Sequence, residues 1–381
     1  MGNPPSNAAQ ADVLIIGGGI IGSSIALRLA RAGLRVTVVD RGDPASEATA
    51  ASAGMLAPQG EMVEPDDFFE LSRASRDLYP AFLDELESLT GERVDYHREG
   101  TLLVASDEKE MEELERVHQA QARLGLPIER LSAPELARRV AGLSPNLAGG
   151  LFVPGDHWLD SQSLARAVVK AAEKAGAAFQ RELSVTGFNA RASRVESVLA
   201  SGAPSSAPVA LSAASFILAA GCWSGPLAAR LGLRLPVEPC RGQMLELEAE
   251  ADLPLVVRSG IHYLVPRPGR RVLAGTTAES TGFDSSVTAE GLRSILEGVT
   301  RFAPLVKGFR FRTAWAGLRP DTPDHLPALG PAIWENLIFA TGHFRSGILL
   351  APATAQWVSE WVLEGKPSRS LDRYRPSRFA E

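Results

Sequence analysis

Blocks of apolar and polar positions near the start of the chain predict a strand, a helix and a second strand. Residues 13–16 form an uninterrupted apolar run, as in a strand that is buried on both faces of a parallel sheet. Residues 23–31 have the apolar spacing of a helix, which Gly33 would end, and residues 35–39 are typical of a second strand. The pattern therefore predicts a β-α-β unit that begins at Asp12.

Mixed helices and strands continue as far as Ala220. The predicted helices are 66–89, 108–124 and 161–175, the last with Asp160 as its N-cap. The predicted strands are Thr101–Ala105, 178–179, 184–188 and 215–220.

After Gly232 the pattern changes to longer strands and then returns to α/β. The longer strands are 237–248, 256–266, 272–276 and 309–318, with a turn at Pro268-Gly269 and one helix, Ala289–Phe302. The chain ends with a strand, Leu337–Thr341, a glycine-containing turn at 342–347 and a helix at 348–363. A mostly antiparallel sheet is therefore expected between α/β segments, as a domain that closes over a ligand.

Three glycines between the first strand and helix have the spacing G-x-G-x-x-G. Gly17 permits a tight turn, Gly19 leaves room for a pyrophosphate against bare backbone, and Gly22 allows close packing of helix and strand. Asp40, eighteen residues after Gly22, is placed to accept hydrogen bonds from ribose hydroxyls. The unit predicts a dinucleotide site without distinguishing NAD from FAD.

The order of the predicted elements favours FAD. The sheet that contains the first strand is completed by distant segments, and a second strand-turn-helix occurs at the other end of the chain. The N-terminus of that last helix is suited to stabilise negative charge on a reduced flavin. We expect an α/β fold (α+β overall) with a Rossmann-like FAD-binding domain and an interleaved, mostly antiparallel β-sheet substrate domain. The predicted limits are 11–80, 145–225 and 318–381 for the FAD-binding domain, 81–144 and 226–317 for the substrate-binding domain, and 1–10 for a disordered tail.

Composition and charge narrow the class of protein. The 381 residues are 45% apolar and 22% charged, with a net charge of −6, which gives no reason to expect nucleic acid as a partner. No apolar run reaches the ~18 residues of a transmembrane helix, so no integral membrane association is expected. With only two cysteines the chain has neither a disulfide framework nor the cysteine spacing of a zinc site, and no metal site is predicted. The location expected from these features is cytoplasmic.

Several motifs resemble those of one flavoprotein family in order and spacing. They are GGGIIGSSIA (17–26), ASAGMLAP (51–58), RGQ (241–243), HYLVPR (262–267), AGTT (274–277), WAGLRP (315–320) and GHFRSGILLAPAT (342–354). The chain is similar from Asp12 onward to the D-amino-acid-oxidase-like FAD-dependent oxidoreductases, and most of all to the glycine oxidases of thiamine biosynthesis. The resemblance implies a homo-oligomer, a tetramer in the family pattern.

The resemblance also implies where noncovalent FAD binds, with both cysteines structural. Besides Gly17, Gly19 and Gly22, the implied contacts are Ile20 and Ile21 at the pyrophosphate, Asp40 and Arg41 at the ribose, Val185 at the adenine, Ala48, Thr49, Ala53, Gly54 and Met55 along the cofactor, Gly221 and Trp223, and His343, Phe344, Arg345, Ser346, Gly347, Ile348 and Leu349 around the flavin ring. The small-residue segment 41–57 fits this placement, although composition alone also fits a flexible loop.

A substrate carboxylate needs a cationic anchor, and Arg319 at the end of a predicted strand offers a bidentate one. The resemblance supports Arg319, adds the hydroxyl of Tyr263, and places Arg345 and Met55 near the substrate. Tyr263 and Met55 are also compatible with packing roles. No triad, metal cluster or carboxylate pair is evident, so no catalytic side chain is predicted and the chemistry is expected to be driven by the flavin.

The expected activity is oxidative deamination of glycine and small amines such as sarcosine and small D-amino acids. The reaction would proceed by hydride transfer from Cα to flavin N5, followed by reduction of O2 to H2O2. The amine and O2 are the expected small-molecule partners. One alternative is a D-amino-acid dehydrogenase that passes electrons to a quinone or other acceptor. A second is a noncatalytic flavin-binding protein.

Overall fold

A computed structural model describes residues 11–61, 65–202, 207–331 and 333–380; the predicted tail at 1–10 lies outside them. The strands, numbered in chain order, are β1 Ala11–Ile16, β2 Val36–Val39, β3 Met55–Leu56, β4 Tyr96–His97, β5 Thr101–Ala105, β6 Glu129–Leu131, β7 Gly149–Val153, β8 His157–Leu159, β9 Ala178–Gln180, β10 Ser184–Arg191, β11 Arg194–Ser201, β12 Val209–Leu218, β13 Glu238–Glu248, β14 Val256–Ser259, β15 His262–Arg267, β16 Arg271–Gly275, β17 Arg310–Asp321, β18 Ala328–Pro331 and β19 Leu337–Thr341. The α-helices are α1 Ile20–Arg31, α2 Asp67–Thr90, α3 Glu108–Arg123, α4 Ala133–Arg139, α5 Ser161–Lys174, α6 Ser224–Ala229, α7 Ala289–Phe302 and α8 Gly347–Glu364.

The first large sheet has a parallel centre in the order β9-β2-β1-β12-β19, with β18 antiparallel at one edge. The strands β10 and β11 form an antiparallel extension from the first half of β12. Helices α1, α2, α5 and α8 cover one face through a shared apolar core. This arrangement confirms the predicted Rossmann-like unit, in which the carboxyl ends of parallel strands open toward a ligand.

The second large sheet has the order β17-β13-β16-β15-β14-β5-β7-β6. Every neighbouring pair in it is antiparallel except β14 with β5. One face packs on α7 and α4 through buried residues such as Leu245, Leu264 and Ile295. On the opposite face, alternate residues of β13, β15 and β16 such as Met244 and Tyr263 pack with Ala53 and Met55, whereas those of β5 and β7 pack on α3.

Two elements differ from their predicted form. Helix α1 begins at Ile20 rather than Ser23, because Gly19 already takes the N-cap position and Gly22 lies inside the first turn of the helix. The single strand predicted at 256–266 is a hairpin, β14 and β15, whose turn contains Gly260 with a φ of 56°. Apolar residues on both sides of the turn, 256–257 and 263–265, favoured a single strand, and Ser259-Gly260 between them was not recognised as a turn.

The division into two domains stays a prediction. Helix α2 runs through the predicted limit between residues 80 and 81, and β7 pairs within the second sheet although it was assigned to the FAD-binding domain. We propose that the limits follow these elements, near the ends of α2 and β7. None of the helices in the described ranges has the length and apolar content needed to cross a membrane.

Candidate active site

A cavity of about 530 Å³ is lined by residues of both large sheets, a volume typical of ligand sites. One side, called here the turn wall, consists of residues 17–21, 40–55 and 343–349. The other side, called the sheet wall, consists of the cavity-facing residues of β13–β17, among them Arg319 and Tyr263. All the predicted site residues line the cavity except Gly22.

The first glycine turn is shaped by close backbone contacts. Gly17 has a φ of 103°, and a Cβ there would overlap the carbonyl of Ala219 at the end of the neighbouring strand. A Cβ on Gly22 would overlap the carbonyl oxygen of Gly17. Gly22 therefore acts through packing of α1 against the turn rather than as a lining residue.

The N-terminus of α1 opens into the cavity at Gly19, Ile20 and Ile21. The backbone N–H of Ile20 donates to Thr49 Oγ1 at 3.1 Å, which ties the segment 40–55 to the helix. The remaining first-turn amides have no partner within the helix and carry its partial positive charge. An anionic pyrophosphate suits this position.

Asp40 lies at the carboxyl end of β2. Its carboxylate accepts the N–H of Gly18 at 2.6 Å and of Gly42 at 2.9 Å, and it faces the cavity. Burial raises the pKa of Asp40, and these two hydrogen bonds oppose that shift. A carboxylate has more acceptor positions than these two bonds use, so a ribose hydroxyl retains a site on it.

Arg41 and Trp223 form one corner of the cavity. The guanidinium of Arg41 lies 3.5 Å from the centre of the Trp223 ring and is paired with Glu47. Phe283, from the loop after β16, contacts the Trp223 ring with the ring centres 5.7 Å apart. This corner brings a residue of the second sheet's loops against the first sheet's side of the cavity.

Val185 lines the cavity on the antiparallel extension of the first sheet. It pairs with Ala200, but the next pair along is Gly187 with Leu199, so Thr186 is an extra residue in β10. A bulge of this kind interrupts the regular backbone ladder. Val185 and Thr186 both line the cavity at this bulge, where the adenine end of the cofactor is expected.

The small-residue segment is held against the sheet wall by two donors. Trp315 Nε1 donates to the carbonyl of Ala51 at 3.1 Å, and the buried Arg267 donates to the carbonyl of Ala53 at 2.7 Å. A Cβ on Gly317 would come within 2.5 Å of the Ala51 methyl group. Larger side chains at 48–54 would therefore separate the segment from the sheet.

The terminal turn connects β19 to α8 and closes the far end of the cavity. Phe344 donates its N–H to the carbonyl of Pro320 at 2.8 Å, which joins the turn to β17. Gly347, Ile348 and Leu349, the first residues of α8, line the cavity, so a second helix N-terminus opens into it.

His343 is fully buried in this turn. Its Nε2 lies 3.1 Å from the hydroxyl of Thr354, and burial lowers the pKa of His343 to about 3. The ring is therefore neutral at physiological pH. A histidine with so low a pKa is a weak proton acceptor, and its hydrogen bond to Thr354 supports the turn.

A row of paired residues crosses the sheet wall. The register places Arg258, Tyr263, Gly275, Met244 and Trp315 side by side on five adjacent strands. A Cβ on Gly275 would lie 2.6 Å from both Met244 Sδ and the Tyr263 ring, so the glycine provides space for the phenol. The row positions the Tyr263 hydroxyl 3.1 Å from Met244 Sδ.

Arg319 lies beside this row. Its guanidinium lies over Gly242, where a Cβ would overlap it, and donates to Thr276 Oγ1 at 2.7 Å and to the carbonyl of Thr277 at 3.0 Å. Among the described residues no carboxylate forms an ion pair with Arg319. These two bonds leave three of the five guanidinium N–H donors for a ligand.

Tyr263 is buried, and burial raises its pKa. The side chain is therefore a neutral hydroxyl donor near Arg319 and Thr276. Arg345 lines the cavity from the terminal turn, with its guanidinium 5.4 Å from the centre of the Phe344 ring. Met55 lines the cavity and packs in the same apolar cluster as Tyr263, Met244 and Trp158.

Several lining residues were not singled out from the sequence. Thr276 and Gly242 position Arg319, although both lie in motifs that the resemblance contains, AGTT and RGQ. Glu61, Arg258 and Ile261 line the same cavity and lie in no such motif. Arg258 and Ile261 reach the site through the hairpin of β14 and β15. The apolar pattern of this stretch predicts a single strand instead.

The turn wall is suited to FAD. The glycine turn has no space for a Cβ at Gly17 or Gly22, two helix N-termini open into one cavity, and an acid lies at the end of β2. Residues 17–21 and 40–41 would hold the pyrophosphate and ribose, and residues 343–349 would contact the flavin ring. Fold and site together define an FAD-dependent oxidoreductase.

Comparisons with known proteins agree with this class. The family described as FAD dependent oxidoreductase (DAO) matches residues 12–361. Glycine oxidase of Geobacillus kaustophilus is 34% identical over 358 residues, which are 92% of this chain and 92% of the relative. The crystal structure of glycine oxidase from Geobacillus kaustophilus superposes with a TM-score of 0.92 at 31% identity, covering 98% of this chain and 100% of that one. The bifunctional protein ThiO/ThiG of Trichormus variabilis is 35% identical over 373 residues, which are 97% of this chain and 55% of the relative.

The chain belongs to this DAO family of FAD-dependent oxidoreductases, and FAD is its cofactor. The resemblance noted from the motifs is thereby confirmed. The chain spans about half of the length of the ThiO/ThiG relatives and nearly the full length of the glycine oxidase.

Proposed function

We propose that the protein oxidises glycine and small amines such as sarcosine and small D-amino acids, with O2 as the electron acceptor and H2O2 as a product. The observation that carries this proposal is Arg319, a guanidinium without a carboxylate partner among the described residues, in the cavity that the terminal turn closes. Similarity to glycine oxidases supports the choice of a small amino-acid substrate.

Arg319 would bind the substrate carboxylate. Its hydrogen bonds to Thr276 and Thr277 hold the guanidinium in one orientation, so little side-chain freedom is lost when a ligand binds. The hydroxyl of Tyr263, kept neutral by burial, would donate a further hydrogen bond to the same carboxylate. Two donors from one wall fix the carboxylate, and the amine and Cα are thereby directed toward the turn wall.

The residues of the cavity bind and orient rather than transfer protons. Burial gives His343 a low pKa and keeps the Tyr263 phenol neutral, so both are weak bases and neither is suited to accept a proton from the amine. Bound FAD supplies the electron-accepting chemistry of the reaction. The first amides of α8 face the cavity and would stabilise negative charge there.

FAD is proposed to bind noncovalently. Cys222 lines the cavity, but burial raises its pKa to about 12, so the thiolate that a covalent bond requires is disfavoured. Release of yellow cofactor into the supernatant on acid precipitation is expected. Colour retained in the pellet would contradict this part of the proposal.

A peroxide-coupled substrate panel on the FAD-loaded protein tests the activity. Glycine, sarcosine and D-alanine are expected to give H2O2, with kcat/KM values well above those of L-alanine and of methylamine, which lacks a carboxylate. Turnover with a dye but not with O2 would instead indicate the dehydrogenase. Absence of turnover with either acceptor in a fully flavinated protein would exclude both activities.

The assembly and location stay predictions. We propose a homo-tetramer, by resemblance to the family, in the cytoplasm. Light scattering coupled to size-exclusion chromatography would measure the assembly, and a mass equal to one chain of 40.6 kDa would contradict it.

A further inference from the structure

We propose that the ion pair between Glu61 and Arg258 determines the charge of the substrates that the cavity accepts. Arg258 would receive a second anionic group of a ligand whose first carboxylate is on Arg319, and Glu61 neutralises Arg258 and so disfavours such ligands. The inference extends the proposed function, since it depends on Arg319 as the first anion site.

The position of Arg258 follows from the hairpin of β14 and β15. Arg258 is paired with Tyr263 in the antiparallel register, so the two side chains extend from the same face of the sheet, about 5 Å apart at Cβ. Arg319 is on the other side of Tyr263, over Gly242. Two guanidinium groups therefore flank one phenol, and all three side chains line the cavity.

Glu61 reaches Arg258 from the segment that follows Met55. Its carboxylate lies 3.2 Å from Arg258 Nη1, and the two side chains are only 22% and 14% exposed. Arg258 and Glu61 line the same cavity as Arg319 and Tyr263. The pair is therefore close enough to the anchor of the first carboxylate to act on a small ligand.

Other hydrogen bonds would keep Arg258 in place without Glu61. Its Nε donates to the carbonyl of Gly260 at 2.9 Å, and Nη1 lies 3.3 Å from the carbonyl of Gly60. The segment of Glu61 is itself fixed by Asp156, whose carboxylate accepts the N–H groups of Gln59 and Gly60. Loss of the Glu61 charge is thus expected to change the potential at the cavity more than its shape.

Matched ligands of equal size test the inference without requiring turnover. Succinate carries two carboxylates and succinamate carries one carboxylate and one amide, and both are measured by the change that they cause in the flavin absorbance of the FAD-loaded protein. In the wild type the two dissociation constants are expected to agree within about threefold. In Glu61→Gln the dissociation constant of succinate is expected to fall about tenfold relative to that of succinamate, because Arg258 then lacks a counter-charge.

Replacement of Arg258 is expected to change the ratio of the two dissociation constants in the opposite direction. Arg258→Gln is expected to disfavour succinate by at least about threefold, since Glu61 is left uncompensated, and Glu61→Gln combined with Arg258→Gln should restore the wild-type ratio. An unchanged ratio in either single variant would overturn the inference. If Glu61→Gln does not retain flavin, the ratio of the two dissociation constants in Arg258→Gln tests the inference on its own.

Failure of the proposed function would look different. Arg319→Met should weaken succinate and succinamate together and leave their ratio as in the wild type. If Arg319→Met weakens neither ligand, the proposed carboxylate anchor is wrong, whatever the Glu61 and Arg258 variants show. A ratio that shifts in those variants would then show that Glu61 and Arg258 select by charge, but with the first carboxylate on a group other than Arg319.

Discussion

The turn wall and the sheet wall of the cavity differ in which parts of the residues face the ligand. The turn wall offers backbone amides and small residues, and glycine is required at Gly17 and Gly54 because a Cβ there would overlap a neighbouring carbonyl. The sheet wall offers the side chains of Arg319, Tyr263 and Arg258, each on a different strand. On the sheet wall glycine has the opposite use, since Gly242 and Gly275 provide space for the side chains beside them.

This difference separates the two kinds of recognition. Backbone contacts suit a cofactor that is the same throughout a family, because they depend on the path of the chain and tolerate changes of side chain. Side chains on a sheet can be exchanged one at a time without altering the path of the strand. Variation of substrate is therefore expected on the sheet wall, and the variants below should affect one wall while leaving the other intact.

The largest effect is expected from Arg319→Met, which removes the charged anchor of the sheet wall. The loss of a charge-assisted bidentate contact should lower kcat/KM for glycine or sarcosine by about a thousandfold. Flavin content should be unchanged, because no predicted FAD contact involves the Arg319 side chain. Steady-state kinetics with the flavin-to-protein absorbance ratio measure both quantities.

Arg345→Met is the matched control, since Arg345 lines the same cavity from the turn wall. We expect a decrease of less than about tenfold. If Arg345→Met has the larger effect, the carboxylate is held from the terminal turn instead. The unfolding temperature of both variants is needed, because Arg319 also donates to Thr276 and Thr277.

Gly17→Ala should damage the turn wall and leave the sheet wall intact. The combination of a φ of 103° and overlap with the Ala219 carbonyl is expected to cost about 3 kcal/mol of unfolding free energy and to abolish FAD binding. Urea denaturation and the flavin-to-protein ratio measure this. A variant of Gly33 distinguishes the effect of backbone strain from that of atomic overlap. Gly33 has a φ of 87°, but a Cβ there would contact no other atom.

Gly33→Ala should therefore cost about 1 kcal/mol and retain FAD. Equal flavin occupancy in the two variants would show that the close approach of Gly17 to Ala219 has no part in cofactor binding.

The same difference between the walls explains what could be predicted from sequence. The turn wall depends on local spacing, so the glycine motif, Asp40 and the terminal turn identified it, and the structure brings these distant segments to one cavity. Gly22 was predicted both to let the helix pack on the strand and to contact the cofactor, and the structure shows it packing without lining the cavity. Its overlap with the Gly17 carbonyl is visible only in three dimensions.

The sheet wall depends on register, which the sequence does not determine without the turns. The predicted strand 256–266 has no turn in it, and on that reading Arg258 and Tyr263 would not be paired. Arg319 and Tyr263 came from the family resemblance and from the chemistry of arginine. Glu61 and Arg258 lie in none of the family motifs, and Thr276 lies in AGTT without a role having been assigned to it. The register of the sheet and one loop bring all three residues to the cavity.

His343 lies where the two walls meet, and its effect is expected on stability. Its pKa is about 3 when folded and 6.5 when unfolded, so the unfolded state binds a proton first as the pH falls. The contribution to stability is therefore complete above about pH 6.5 and decreases as the pH falls toward about 3. Between about pH 7 and pH 5 the wild type should lose about 2 kcal/mol through this group.

His343→Gln should flatten this part of the pH dependence, as measured by urea denaturation of the FAD-free protein at each pH. Above about pH 7 the two proteins should have parallel pH dependences, which serves as the internal control. An unchanged acid slope in the variant would mean that His343 is protonated in the folded protein.

The smallest effect is expected from Tyr263→Phe, which removes one hydroxyl from the sheet wall and keeps the ring beside Gly275. A hydrogen bond from a neutral hydroxyl to a charged carboxylate contributes about 1.5 kcal/mol, so KM should rise about tenfold with kcat nearly unchanged. Tyr96→Phe is the matched control, because its hydroxyl lies 2.6 Å from His157 Nδ1 and not in the cavity. An unchanged KM in Tyr263→Phe would mean that Tyr263 only packs against Met244. Of Tyr263 and Arg319, Arg319 alone would then bind the carboxylate. A fall in kcat at constant KM would instead mean that the hydroxyl acts in the transition state, so that the sheet wall takes part in the chemistry as well as in binding.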